Sequence, residues 1–573
     1  MPNIPPPSQQ HDKNAKHTER DLLKFCQALM NEGAKARNKW VSKDGADSRD
    51  VRAYRGLIAP SGFKGKTDDR VFRLNIIQTF IDTMVARLTD NRPMMRVDSI
   101  KAGLHDMAVV LEDIIPVIWD ESRAQRQLFK MCHNSSIRGI SGFHVGYDAM
   151  RDRVLIEVLR PHQIIVDPDV CEAGLIEEAE YVGVKRQSTL SALGIRYPGR
   201  GGLVREDVEM DGSASAETID TPVEHIMASR NKPSSSGSVI PRATVNTVYL
   251  IDRENMEKGK LMFPRGRRVV FTKDVLLDDG VNPYWDGTHP VDIFDWTVDP
   301  NHIWGLSEPS SMINPQNAFN EIMDGVIQNQ IQTNQINITG DHDALLASEW
   351  SRLKKMKNTN VMPHRKNSSF AITPPPVFGS DKIAVARQIF SFLQILKGVT
   401  DVVLGENPGS LQSGRAVEGL VEGANIMTRA RASRLEDFMT RVGQKIIARI
   451  IQFIPTDRIL SFLGPKAETL KYGELRQEFF FNDKGIPMSI EERAEVFRYL
   501  RFAVLPGSSA PGTRQARAQQ MMALHSLPRP LVSGKDVLEA ADFRNADEMI
   551  KRAKEEQPLG PPAPAGETPQ VFT

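Results

Sequence analysis

Few groups in this sequence have the type and spacing that bond-making chemistry needs. The nearest to a nucleotide site is Gly62-Phe-Lys-Gly65-Lys66-Thr67, which ends as a phosphate-cradling loop does. The full pattern needs a glycine where Pro60 stands. No apolar strand leads in, and Asp68, Asp69 and Arg70 separate the run from the next helix. A surface loop explains it more cheaply than a nucleotide site. Asp341-His342-Asp343 carries metal-binding side chains. Neighbours in sequence point in different directions, however, and no second cluster stands at a defined spacing. An acidic helix start, near the positive end of the helix dipole, accounts for them. Asp167-Pro168-Asp169 reads as a strand-ending turn. HExxH, GxSxG and GxGxxG patterns are all missing. No catalytic residue, metal ligand or cofactor is therefore assigned, which points to a structural or binding role.

Two stretches could instead touch a polyanion or a partner. From Gly325 to Gly340 there is no charge, and Gln328, Asn329, Gln330, Gln332, Asn334, Gln335 and Asn337 crowd together. One reading is a polar helix in an ordinary interface. The other is a helix lining a solvated channel past which a polyanion slides. Lysines there would bind phosphates and trap the strand, whereas neutral amides hydrate the wall without holding it. The preceding half has an apolar face for packing, formed by Met312, Phe319, Ile322, Met323 and Val326. The second stretch is basic: Arg352, Lys354, Lys355, Lys357, His364, Arg365 and Lys366. It reads as a nucleic-acid patch, a docking surface or a solvated face. Only Trp350 and Phe370 flank it, which argues against stacking on single strands.

Composition narrows the classes. Of 573 residues, 73 are basic and 72 acidic, a net charge of +1. Tight DNA binders usually carry a basic excess, so any DNA contact should be local, weak or slippery. The hydrophobic 40% and charged 25% are those of an ordinary soluble protein, with length for roughly three to four domains. Cys26, Cys132 and Cys171 are far apart and odd in number, against a disulfide framework or cysteine zinc site and consistent with a reducing compartment. Residues Met1 to Lys16 lack the apolar run of a signal peptide. No apolar run approaches the roughly 18 residues of a membrane span.

The elements that must position these stretches follow from period. Residues 1–18 read as a disordered arm. Helical spacing predicts helices over 19–40, 71–88 and 104–135, the last with a kink or break at Pro116. Alternation predicts a hairpin over 142–156 turning at 150–152, a strand at 163–166, and strands at 243–252 and 261–271 joined by a polar turn. A short helix is expected at 188–193, and 200–240 reads mostly as a mobile insertion. A long helix opens at Ser307, a capping residue, with Pro309 in its first turn, and runs to about Ile338. A compact unit follows over 341–376, with a helix at 344–356, strands near 360–362 and 370–372, and the stop Pro374-Pro375-Pro376. Helices are predicted at 381–397 and 415–454, joined by a Gly-rich loop. Leu435, Phe438, Met439, Val442, Ile446, Ile450 and Ile454 mark the core face of the second, with Arg429, Arg431, Arg434 and Arg441 mostly on other faces. A strand near 477–481 and a helix opening at the capping box Ser489-Ile-Glu-Glu492 belong to a helical region over 456–555, and the tail 556–573 reads as disordered.

This order of elements resembles the portal (head-to-tail connector) protein family of tailed bacteriophages. The matching stretches are Asn75 to Leu88 with Pro93; the Gly139–Tyr147 strand with Arg160-Pro-His-Gln-Ile-Ile-Val-Asp-Pro168; Trp304-Gly-Leu-Ser-Glu-Pro309 with Gln316 and Asn320; and Leu396 to Gly405 with Ser413-Gly-Arg-Ala416. The ordered set spans about 70–455.

The resemblance implies a mainly helical α+β portal fold and a ring, as a rule a dodecamer, at one capsid vertex. It implies a wing (19–303, with the insertion 200–240), a first stem helix (304–340), a clip (341–376), a second stem helix (377–398), a tunnel loop (399–414), a long wing helix (415–455) and a crown (456–555). Gln328, Gln332, Gln335, Asn407, Ser410 and Gln412 are then expected to line the DNA channel. Arg352, Lys354, Lys355, Lys357, Arg365 and Lys366 would dock the terminase large subunit and later the head-to-tail adaptor. Arg429, Arg431 and Arg434 would lie between subunits. Capsid and scaffolding proteins and sliding double-stranded DNA are the further implied partners, with no membrane contact. The implied place is the virion, with assembly in the host cytoplasm. The alternatives are a non-portal structural or adaptor protein of a virion, or a nucleotide-hydrolysing packaging enzyme using Lys66.

Overall fold

The computed structural model describes residues 15–40, 46–57, 73–90, 93–101, 104–149, 151–207, 241–253, 255–257, 260–333, 336–341, 345–355, 359–364, 381–398, 426–454, 490–504 and 522. The Gly62–Thr67 run, the tunnel loop, the strands expected at 370–372 and 477–481 and both chain termini lie outside the described residues.

The chain opens with α1 (Ala15–Trp40), so the expected arm gives way to helix before residue 19. Next come α2 (Ala46–Tyr54) and α3 (Ile76–Thr89). Asn75 caps α3 by accepting from the Gln78 amide at 3.2 Å. Ile77, Phe80, Ile81, Met84, Val85 and Leu88 recur every three or four residues and all are buried. After β1 (Met95–Ser99), α4 (His105–Glu121) runs through Pro116 without ending. Burial of Leu111, Ile114, Ile115, Ile118 and Trp119 on both sides outweighs the lost backbone bond. The break falls instead at Arg123, whose φ of 52° turns the chain into α5 (Ala124–Arg138).

The strands form separate sheets. The hairpin β2 (Ile140–Asp148) and β3 (Arg153–Leu159) turns where expected. It is completed by β11 (Val291–Asp295) in the antiparallel order β11-β2-β3. A five-stranded antiparallel sheet joins β4 (Ile164–Val166), β5 (Tyr181–Thr189), β6 (Arg242–Leu250), β9 (Arg267–Phe271) and β10 (Leu276–Val281) in the order β10-β9-β6-β5-β4. The turn expected between its strands β6 and β9 carries a small ladder of its own, β7 (Met256–Glu257) with β8 (Lys260–Leu261). Helix α6 (Leu190–Arg196) follows β5, capped by Thr189. Residues 201–207, expected within the mobile insertion, are ordered against the fold: Gly201 is buried and Asp207 donates its amide to the Arg242 carbonyl.

Three packing layers result. On one face of the five-stranded sheet, Leu22, Cys26 and Met30 of α1 bury against Ile165, Val248 and Val269. On its other face Val182 and Val184 meet Val291 and Ile293 of the three-stranded sheet. That sheet's far side, with Phe143 and Val145, joins the main core, which gathers α3, α4, α5 and the long helix described below.

The rest of the chain comprises α7 (Glu308–Thr333), β12 (Ile336–Asp341), α8 (Ala347–Lys354), β13 (Thr359–His364), α9 (Asp381–Lys397), α10 (Ile426–Phe453), α11 (Ile490–Phe497) and β14 (Leu500–Val504). Every core position expected on α10 is buried, from Leu435 through Ile454. Each such side chain contributes about 1.5–3 kcal/mol by leaving water. A different face of α10 carries Arg441, Lys445 and Arg449 at a spacing of four. Arg441 and Lys445 grip the fully buried Asp292 at 2.8 and 2.5 Å. Arg449 pairs with Asp286 at 2.9 Å and lies over the Tyr284 ring at 3.7 Å. These ion pairs fix α10 onto the three-stranded sheet.

Part of the region expected as a C-terminal helical crown packs on the rest of the chain. β14 pairs antiparallel with β1, Val97 opposite Phe502, and α11 packs on α10. Residues 490–504 thus belong to the main core.

Candidate functional site

Helices α7 and α9 pack side by side, and α9 keeps the bounds that its apolar period predicts. Helix α7 begins at Glu308, with Pro309 in the first turn where its missing N–H costs nothing. Its first half is anchored: Met312 and Ile313 are buried and Phe319 packs on the core. Its second half emerges, and Gln328 and Gln330 are exposed. The helix ends at Thr333, earlier than the expected Ile338. Residues Ile336–Asp341 form β12, paired parallel with β13 so that Ile338 lies opposite Val361. Ile336, Ile338 and Thr339 are β-branched and favour the extended chain. Asn337 is therefore on a strand and not on the amide face of the helix. Asp341 is the last residue of β12, not a helix start.

Of the six residues expected to line a channel, Gln328 is exposed on α7 and Gln332 lies on the same helix. Gln335, Asn407, Ser410 and Gln412 lie outside the described residues. In the basic stretch, α8 spans Ala347–Lys354, shorter than expected, and is fixed by buried Trp350. Glu349 caps it by accepting from the Leu346 amide at 3.0 Å. Arg352 and Lys355 are exposed, Lys354 ends the helix, and Lys357, Arg365 and Lys366 lie outside the described residues.

The two helices share a charged root. Glu308 is 3% exposed. Its Oε1 accepts from Trp296 Nε1 at 2.9 Å and from Arg431. Its Oε2 accepts from Lys397, the last residue of α9, which also donates to Ser311 Oγ at 2.6 Å. One carboxylate therefore joins the start of α7, the end of α9 and the second turn of α10. Burial by itself raises the Glu308 pKa, yet Arg431, Lys397 and the Trp296 hydrogen bond hold it below the ordinary 4.5. Arg431 also stacks over the Trp296 ring at 5.2 Å. Beside it, Ser307 Oγ donates to Asp50 Oδ2 at 2.5 Å, tying the helix entry to α2.

The root also takes up, within the chain, two of the α10 arginines expected between subunits. Arg431 and Arg434 turn inward: Arg434 donates to the Trp296 carbonyl at 2.9 Å and approaches Asp295 at 3.9 Å. Their acids, Glu308 and Asp295, are over a hundred residues earlier, so helical period alone could not reveal them. Arg429 remains exposed. Immediately after Lys397, Gly398 adopts φ 65°, the left-handed conformation that ends a helix, and the chain enters the segment expected to form the tunnel loop.

A second connection ties α7 to the chain before α3. Gln316, 5% exposed, accepts from the Ile76 amide at 3.1 Å and donates to the Leu74 carbonyl. Asn320 Oδ1 accepts from the Leu74 amide at 3.2 Å. These are two of the residues quoted above for the family resemblance, and their role is to clamp one backbone segment to the helix.

Among the described residues no group of three or more His, Cys, Asp and Glu gathers as metal ligands would, and no helix is long and apolar enough to cross a membrane. No curated protein matches the chain. A family model described as phage P22-like portal protein matches residues 68–571.

Proposed function

Because the chain belongs to the phage P22-like portal protein family, a structural family of the virion capsid, we propose that it closes into a ring through which double-stranded DNA passes during packaging and ejection. In this reading the wing is 19–303 together with α10, α11 and β14. The stem is α7 with α9, the clip is 341–376, the tunnel loop is 399–414, and the crown is what remains of 456–555. The observation that carries the reading is the pair α7 and α9, rooted on buried Glu308 and extending outward with exposed, uncharged Gln328.

A ring of identical chains closes by heterologous contact, one face of each copy meeting a different face of the next. A wall of neutral amides suits a conduit, since each lysine in its place would add a phosphate contact and slow the strand. The exposed Arg352 and Lys355 at the far end suit docking of the terminase large subunit and then of the head-to-tail adaptor. Capsid and scaffolding proteins would meet the wing. Assembly would take place in the host cytoplasm.

Negative-stain electron microscopy of the purified full chain tests the ring. Closed rings with a central hole wide enough for duplex DNA, about 20 Å, are expected. Monomers or small dimers persisting at high protein concentration would overturn it.

A further inference from the structure

Where the five-stranded and three-stranded sheets face each other, one end of the buried layer is polar. Val182 and Val184 of β5 point to the three-stranded sheet, so by alternation Arg186 does too. Tyr249 is the register partner of Val182 on one side and of Arg268 on the other, which puts both on that face. From the opposite sheet His144, partnered with Val291 of the same layer and with Glu157, comes to meet them. Tyr284 and Arg449 close this end, the guanidinium lying 3.7 Å from the centre of the phenol ring. A Cβ on Gly146 would stand 3.0 Å from the Tyr284 hydroxyl and 2.9 Å from the His144 ring, so only glycine there admits both side chains.

Each of the three arginines has an acid. Arg186 approaches Glu157 at 2.7 Å, Arg268 pairs with Asp278, and Arg449 with Asp286. Charge is thus matched, but hydrogen bonding is not. Arg186 Nε, Arg268 Nε, Arg449 Nη2 and His144 Nδ1 are all buried without a partner. The buried Tyr249 and Tyr284 likewise make no hydrogen bond through their hydroxyls among the described residues. These groups are neighbours: the charges of Arg186, Arg268 and Arg449 act on both phenols, and those of Arg186 and Arg449 on His144. Buried polar groups in a stable fold are almost always paired, so the space between them holds something that pairs them. The guanidinium N–H groups can only donate. Among the described residues Asp286 Oδ1 is the single buried carboxylate oxygen left unpaired. Water brings as many donors as acceptors and leaves the excess of donors in place. An oxyanion brings acceptors alone, and a tetrahedral one presents them in several directions at once. There is a way in: the Arg186 and Arg268 side chains are 33 and 31% exposed, and a Cβ on Gly280, the β10 partner of Arg268, would meet nothing within 4 Å.

We infer that the polar end of this inter-sheet layer binds one small free oxyanion of the phosphate or sulfate class, an internal ligand that joins the two sheets. Arg186, Arg268 and Arg449 would donate to it from three elements, and Tyr249 and Tyr284 through their hydroxyls. Duplex DNA carries the same phosphate chemistry, but its stiff backbone does not fit between two packed sheets. The site stands whether or not the chain forms a ring.

Equilibrium dialysis of the full chain against radiolabelled inorganic phosphate tests it, in chloride buffer at about pH 8, where histidine is neutral. Binding should saturate near one phosphate per chain, and unlabelled sulfate should compete. Tyr249→Phe with Tyr284→Phe removes two hydroxyls that hold no other described group, so the phosphate-free melting temperature should not fall. Its dissociation constant for phosphate should rise about a hundredfold, as loss of two charge-assisted hydrogen bonds does. Arg268→Lys keeps a charge opposite Asp278 but loses the Nε–H, and should weaken binding about tenfold. Saturating phosphate should raise the melting temperature of wild type more than that of either variant. Should the tyrosine pair fail to fold, the partly exposed Arg268→Lys decides on its own. Absence of saturable binding, or equal binding by wild type and the variants, would overturn the inference. Displacement of the label by a short DNA duplex would place the phosphate on an outward surface and overturn it as well.

Discussion

Glu308, in the first turn of α7, accepts a hydrogen bond from Lys397, the final residue of α9. The two lie 89 residues apart in sequence and close the base of the helix pair. With Arg431 on the other carboxylate oxygen, Glu308 is a shared counter-ion for two largely buried cations. Replacing it by Gln leaves both without a charge partner among the described residues. Breaking a buried pair in this way costs about 3–5 kcal/mol. Glu308→Gln should therefore lower the urea midpoint clearly, and a variant with wild-type stability would contradict the role assigned to the root.

The same carboxylate predicts an acid dependence. Its pKa is depressed in the fold, so its stabilisation is complete above the ordinary value of 4.5 and fades as pH falls below it. The stability gap between wild type and Glu308→Gln should be constant from pH 7 to about 5 and shrink below 4.5. Denaturation curves across that range are the measurement.

Histidine supplies a dependence in a higher window. His144 is buried between the two sheets, and its pKa lies well below 6.5 because of that burial and then the charges of Arg186, Arg449 and Arg196. His289 is lowered too, chiefly by burial, with Lys445 adding to it. In the unfolded chain both protonate near 6.5, before they do in the fold. Stability should thus be full above pH 6.5 and fall as pH drops below it. His144→Asn with His289→Asn should flatten this slope between pH 7 and 5.5. An equally steep slope in the double variant would remove these two residues as its source.

The amide clamp makes a local prediction. Gln316→Leu keeps the volume but strips the Ile76 amide and the Leu74 carbonyl of their partners. An unpaired buried backbone group costs about 1–3 kcal/mol. The variant should lose about that much stability, and hydrogen exchange at Ile76 should rise more than at the centre of α3. Uniform exchange across both sites would mean that the clamp is not local.

Close packing between α10 and β14 is equally exposed to test. A Cβ on Gly443 would come within 2.2 Å of the Phe502 ring, so Gly443→Ala forces apart two elements that the aromatic side chain now joins. About 1–3 kcal/mol of destabilisation is expected. Gly443→Ala with Phe502→Leu should recover part of it. No recovery would place the strain elsewhere.

The sequence makes some of this legible and hides the rest for identifiable reasons. Helix α9 is readable because its apolar period is bounded by Pro374-Pro375-Pro376 before and Lys397-Gly398 after. The core face of α10 is readable because seven apolar residues repeat at helical spacing. The end of α7 is hidden because no Gly or Pro falls between Val326 and Thr339, and the signal to stop is a partner strand at 359–364. Pairing of β1 with β14 is hidden because the partners are some four hundred residues apart. Arg431 and Arg434 look like surface charge by period, and only tertiary packing brings Glu308 and Trp296 to them.

The conduit itself is tested by adding charge where α7 has none. Gln328 is exposed on the emerging half of the helix, and Gln332 follows one turn on, so lysines at both positions would stack along one face. Each lysine neutralises a phosphate and releases counter-ions, which adds affinity for every register of the duplex alike. Repeated around a ring, two such contacts per copy convert a slippery wall into one that holds the strand. Gln328→Lys with Gln332→Lys should slow DNA packaging without changing stability, and raised salt should restore the rate by screening the new contacts. Gln328→Glu with Gln332→Glu should not retain DNA in this way, which separates charge from bulk. Unchanged packaging in the lysine pair would mean that this face of α7 does not meet the DNA.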